Sequence, residues 1–136
     1  MLTNTNKVAA DEKIEAAREK VREWGARISQ GEWDWHLLGH ALEFAHQAME
    51  ENREYQRPWT ILADIYHRIG KLELANKCLE KSYATATPGP RFPGGFYKEV
   101  KGNINSGYPF NSAGGLKRVL PPDWFEQKYQ KYWKLQ

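Results

Sequence analysis

Between Val8 and Ala84 the chain carries a single proline, Pro58, and its apolar residues recur at three- and four-residue intervals. A strand, whose side chains alternate every two residues, cannot use such a pattern, whereas a helix returns to one face every 3.6 residues. The spacing predicts helices over about 7–29, 34–52, 57–69 and 72–85. Their links are short enough to make neighbours antiparallel. Asp34 is placed to cap the second helix through its carboxylate. Pro58 costs nothing in a first turn, and Gly70 can end the third helix in the left-handed conformation. The expected fold class is all-α, with two antiparallel hairpins at its centre.

The pattern breaks at TPGPRFPGG. Residues 88–136 hold six of the seven prolines and seven of the eleven glycines, which predicts no continuous helix through about Gly115. The same segment holds ten of the eighteen aromatic residues, whereas freely disordered tails are poor in them. An ordered coil lying on the helical body or on a partner is the expectation. After it, LPPDWFEQKYQKYWKLQ reads as an amphipathic helix starting at Pro122 or Asp123, with Phe125, Tyr129, Tyr132 and Trp133 along one face. The chain thus divides into a helical domain, 1–87, and a tail, 88–136. The first carries 12 Lys/Arg against 14 Asp/Glu, a net of −2; the second carries 8 against 3, a net of +5.

At 136 residues the chain has the size of one domain. No run of about eighteen apolar residues exists, and MLTNTNKVAADEK lacks the basic and apolar regions of a secretory signal. A cytoplasmic protein without membrane attachment is the expectation. Cys78 is the only cysteine, which excludes an intrachain disulfide and a cysteine-based zinc cluster. Its apolar neighbours predict a buried, unreactive thiol.

The third and fourth expected helices resemble a tetratricopeptide repeat, whose signature is W-x2-L-G-x2-Y, then A-x3-F and a later proline. Trp59, Leu62, Ala63 and Tyr66 match the first part with Ala for Gly; Ala75 and Leu79 match the second, and Pro88 follows. A shift of about 34 residues maps these onto Ala41 and Ala45, with Trp24 one residue ahead of the equivalent of Trp59. The resemblance implies a scaffold set by Trp24, Trp59, Leu62, Tyr66, Ala75 and Leu79, and a ligand groove lined by Arg57, Thr60, Asp64, His67 and Arg68. Their mixed charges do not form a lysine- and asparagine-rich clamp for a terminal carboxylate. A second, narrower resemblance runs through ISQGEWDWHLLGHALEFAHQAMEEN, with Gly31, Glu32, Trp33 and Trp35, then Ala63, Asp64 and Gly70. It is similar to the helical dimerisation region of alkylsulfatase-like hydrolases of the metallo-β-lactamase type. It implies association beside a separate catalytic chain rather than chemistry in this one.

The sharpest chemical pattern is histidine-rich. His36 and His40 stand four residues apart, as two imidazoles sharing a metal would, with Glu43 next on that face. Glu43 and His46 have the Glu-x-x-His form of carboxylate-bridged metal bundles, echoed by Asp64 and His67. Direction opposes a metal site. Leu38, Ala41, Leu42, Ala45 and Met49 make the apolar stripe, leaving His36, His40 and Glu43 nearly opposite it, in water, with His46 at the boundary. Asp64 and His67 likewise lie off the stripe of their helix. A solvated polar face is therefore expected, and no cofactor.

No nucleophile elbow or phosphate loop is present. Lys128, Lys131 and Lys134 interleaved with Tyr129, Tyr132 and Trp133 could seat nucleic acid, but a pI of 8.9 is mild and a docking helix needs the same rings. The expected function is non-catalytic protein–protein interaction or assembly, as an adaptor or accessory subunit. The partner would be another protein or a second copy, reached through the groove or through Trp124, Phe125, Tyr129, Tyr132 and Trp133. A metal-binding bundle and nucleic-acid binding through the tail are the other readings.

Overall fold

The computed structural model describes residues 4–135, with side chains from Lys7 onward. Residues 1–3 of the N-terminal stretch read above, and residue 136, lie outside the described residues. Among the described residues six α-helices follow one another: α1 Asn4–Ile28, α2 Trp35–Glu51, α3 Gln56–Ile69, α4 Leu72–Thr85, α5 Gly95–Ser106 and α6 Asp123–Tyr129. A 3-10 turn, Gln130–Trp133, continues α6. The described residues contain no strand, and the all-α class holds. No helix among them is long and apolar enough to cross a membrane.

The expected signals set the helix ends. The Asp34 carboxylate accepts the His36 N–H at 3.1 Å and caps α2. Gly70, at φ 96°, ends α3: its N–H and that of Lys71 both return to the Tyr66 carbonyl, closing the last turn in a Schellman arrangement. The hairpin α1–α2 packs beside α3–α4, with α2 and α1 both touching α3. Across the inner hairpin, the Thr60 hydroxyl meets that of Ser82 at 2.6 Å, satisfying two buried polar groups together. Trp59 buries its ring and donates its indole N–H to the Arg53 carbonyl at 2.9 Å. Cys78 is fully buried, and burial pushes its thiol up, away from the thiolate form.

The glycine- and proline-rich segment corrects the expectation of coil through Gly115. The fifteen residues between Pro93 and Pro109 leave room for a helix, and α5 occupies it between Gly94 (φ 103°) and Gly107 (φ 82°). Tyr97 and Val100 are its buried residues, with Ile104 partly buried, a spacing of three and four that fits a helical face. They rest on α3 and α4. After α5 the chain doubles back across the C-terminal end of α3. There the Arg118 guanidinium donates to the His67 and Arg68 carbonyls at 2.9 and 3.3 Å, and lies 4.1 Å from the centre of the Phe110 ring. A cation on the last carbonyls of a helix satisfies them and opposes the dipole. The final helix is shorter than expected: Tyr132 and Trp133 belong to the 3-10 turn.

Candidate functional site

The histidine face of α2 is partly wet and partly covered: His36 and His40 are exposed, Glu43 is half-buried and His46 is buried. It is where the C-terminal arm, α6 with its 3-10 turn, lies on the chain's own body. His36 stacks on Trp124 with ring centres 4.5 Å apart, and Gly39, three residues on, faces Tyr129 so closely that even a methyl group would overlap the phenol. Glu43 follows on the same stripe, and its negative charge acts on both Tyr129 and Tyr132. His46 closes the row, 4.4 Å from the Tyr132 ring. His40 remains exposed. Among the described residues no group of three or more His, Cys, Asp or Glu side chains is placed to hold a metal ion.

His46 is buried rather than at a boundary, because the arm covers it. The Tyr66 hydroxyl donates to the Tyr132 carbonyl, which can only accept. His46 Nε2, 2.7 Å from the Tyr66 hydroxyl oxygen, must therefore carry its proton and donate to Tyr66. Burial, aided by the charge of Arg53, lowers the His46 pKa to about 4, so the ring is neutral. Burial and the Glu43 carboxylate push the Tyr129 phenol up to about 12. The arm is also tied through Glu126, which accepts from Lys71 Nζ and from the Trp133 indole, both at 3.1 Å.

A row of rings continues this seam. Trp24, fully buried on α1, lies 5.8 Å from Trp33 and 6.1 Å from Trp35. Phe110 stacks on Trp33 at 6.4 Å, and Phe125 meets Trp35 at 5.4 Å. The tryptophans of GEWDW thus close the body against its own tail. Phe125 and Tyr129 are buried inside the chain, Tyr132 and Trp133 are half-buried, and Trp124 keeps 41% of its surface exposed.

The five groove residues of α3 are dispersed. Arg57 bridges to α1, donating to Asp11 at 2.6 Å and Glu15 at 2.9 Å. Thr60 faces α4. The expectation that Asp64 and His67 face water is overturned, since α3 is surrounded by α1, α2, α4, α5 and the returning chain. His67 donates from Nε2 to the Tyr108 carbonyl at 2.9 Å, and burial lowers its pKa. Asp64 and Arg68 pair at 3.1 Å, with 11% and 14% of their side chains exposed, on the floor of a trough.

That trough, about 400 Å³, runs between α1 and α5 over α3. Arg18 and Phe96 stand at one end; Ser29, Asn103 and the returning segment at Tyr108 and Leu116 stand at the other. The contribution of α1 escaped the sequence reading, although Arg18, Arg22, Gly25 and Ser29 are spaced four, three and four apart on one helical face. Such a polar, glycine-interrupted stripe on an otherwise well-patterned helix is the signal that could have found it.

No protein-family model, curated protein or solved structure matches the chain.

Proposed function

We propose that this chain is a non-catalytic protein–protein interaction module, an adaptor or accessory subunit, with tetratricopeptide-like hairpins as its scaffold and the trough between α1, α3 and α5 as its partner face. The observation that carries the reading is the trough itself. Its walls come from the first helix of each hairpin and from the helix that follows, and its lining mixes guanidinium, carboxylate, amide and apolar groups, as recognition surfaces do. The packing order, each hairpin beside the next with α1 and α3 adjacent, supports the scaffold half of the proposal. The arm supports it differently: it covers part of α2, whereas the trough on α1, α3 and α5 remains open.

The test is site-specific photo-crosslinking in the native cell, with the reactive group at Ser29 in the trough and, as a control, at Gln127 on the arm. A discrete crosslinked partner, or a crosslinked second copy, at Ser29 and not at Gln127 is the expected result. Crosslinks absent at Ser29, together with a monomer in size-exclusion chromatography, sink the proposal.

A further inference from the structure

The trough is not chemically even. Along its α1 wall the distance from Arg18 to Ser29 is roughly 16 Å at 1.5 Å per residue. The Arg18 guanidinium lies 4.6 Å from the centre of the Phe96 ring, a stacking contact that holds the planar group in place. Its ion-pair contact among the described residues is a long one, 3.5 Å to Glu15, whose same oxygen takes a 2.9 Å bond from Arg57. Most of its five N–H donors therefore stand unpaired at the trough. One turn on, Arg22 pairs with Glu19 at 2.6 Å, but with 64% and 71% of the two side chains exposed this is a surface pair that a ligand can replace. Asp64 is already neutralised by Arg68. The remaining carboxylate of the lining, Glu99, stands on the α5 wall and disfavours an anion there.

Gly25 adds a second, independent observation. Glycine is the poorest helix former after proline, yet it stands in the interior of α1, and a Cβ added to it would meet nothing within 4 Å. The fold has no steric need for the missing side chain. What its absence leaves is room in the trough, beside Arg22.

We propose that the trough binds a short, extended acidic peptide segment, its carboxylate seated on Arg18 and Arg22 and its backbone passing over Gly25 toward Ser29. A guanidinium takes a carboxylate through two parallel N–H bonds, and Arg18, fixed by Phe96, loses little freedom in doing so. This assignment rests on the trough being the partner face and narrows that face to one ligand class.

The experiment measures fluorescence anisotropy of labelled hexapeptides alternating Glu with Leu, Lys with Leu, and Gln with Leu against the full chain. The Glu peptide binds at least about tenfold more tightly than the other two, a difference that shrinks as salt screens it. Arg18→Gln with Arg22→Gln abolishes the preference, and Lys128→Gln on the arm leaves it unchanged. Gly25→Leu, which improves helix propensity and so keeps the fold, blocks binding. Equal affinity for the three peptides overturns the proposal, as does unchanged binding by Gly25→Leu, or inorganic phosphate displacing the Glu peptide as well as free glutamate peptide does. A partner crosslinked at Ser29 alongside equal peptide affinities overturns the acidic class alone; absence of both overturns the partner face as well.

Discussion

Tyr129 fills the place that a side chain at Gly39 would occupy. The phenol of the arm lies against the bare backbone of α2, and a Cβ there overlaps both its ring and its hydroxyl. One missing methyl group thus decides whether the C-terminal arm can lie down.

Gly39→Ala is accordingly expected to destabilise the fold by about 2–4 kcal/mol, although alanine is the better helix former, because Tyr129 and Phe125 must lift from buried positions. In a Tyr129→Ala background the same change costs little or stabilises slightly. Urea denaturation of the four proteins of this cycle gives the coupling. An equal cost in both backgrounds would show that the close approach is irrelevant.

Deleting residues 121–136 removes two fully buried rings, Phe125 and Tyr129, and uncovers Trp35 and His46. The expected loss is roughly 3–6 kcal/mol at about 1.5–3 kcal/mol for each ring. That is a large part of the 5–15 kcal/mol typical of a domain. Increased binding of a hydrophobic dye and a lower urea midpoint are the readouts. A midpoint equal to that of the intact chain contradicts the docked arm.

Acid should weaken the fold through His46. Its pKa in the folded chain, about 4, lies below the 6.5 of an unfolded histidine, so the unfolded chain binds the proton first as pH falls. Its contribution is complete above about pH 6.5, is lost progressively between about 6.5 and 4, and changes no further below that. The full loss is on the order of 3 kcal/mol. His67, also lowered by burial, adds a loss of the same sign. His46→Gln, whose amide can still donate to Tyr66, should flatten the stability profile across this window. A slope unchanged in that variant would assign the acid sensitivity elsewhere.

Arg118 joins the returning chain to α3 by capping its last carbonyls and stacking on Phe110. Arg118→Ala is expected to cost about 1–3 kcal/mol, and Arg118→Lys to recover only part, since an ammonium cannot present a flat face to the ring. Denaturation midpoints distinguish the two. Full recovery by lysine would reduce the contact to charge alone.

The four helices of the two hairpins were legible because their signals are local: Asp34 beside the first turn of α2, Gly70 after the last of α3, and apolar stripes between. α5 was legible in principle, bounded by Pro93–Gly94 and Gly107–Pro109, but the abundance of breakers obscured the uninterrupted run they enclose. The polar face of α2 was read correctly as opposite the core of its hairpin and, at His36 and His40, as exposed; the reading failed at His46, which is buried. Angular position says which side of a helix a residue occupies, not what arrives there from eighty or ninety residues away. His36 meeting Trp124 and His46 meeting Tyr132 are contacts of that kind. The same limit explains His67, whose partner is the Tyr108 carbonyl beyond α5. The candidate site was half visible: Asp64 and Arg68 were named from one helix, while Arg18, Arg22 and Gly25 join them only once α1 is packed alongside.

The aromatic seam also imposes a timetable. Trp24, Trp33 and Trp35 are made early, and the rings that cover them, Phe110 and Phe125, come near the end. At roughly 5–20 residues per second, Trp35 waits on the order of 5–20 s for Phe125 to be synthesised. For that interval a nascent chain with its hairpins already formed leaves Trp35 without the ring that covers it, and the closing of the arm marks the moment when synthesis, rather than folding, ceases to limit burial.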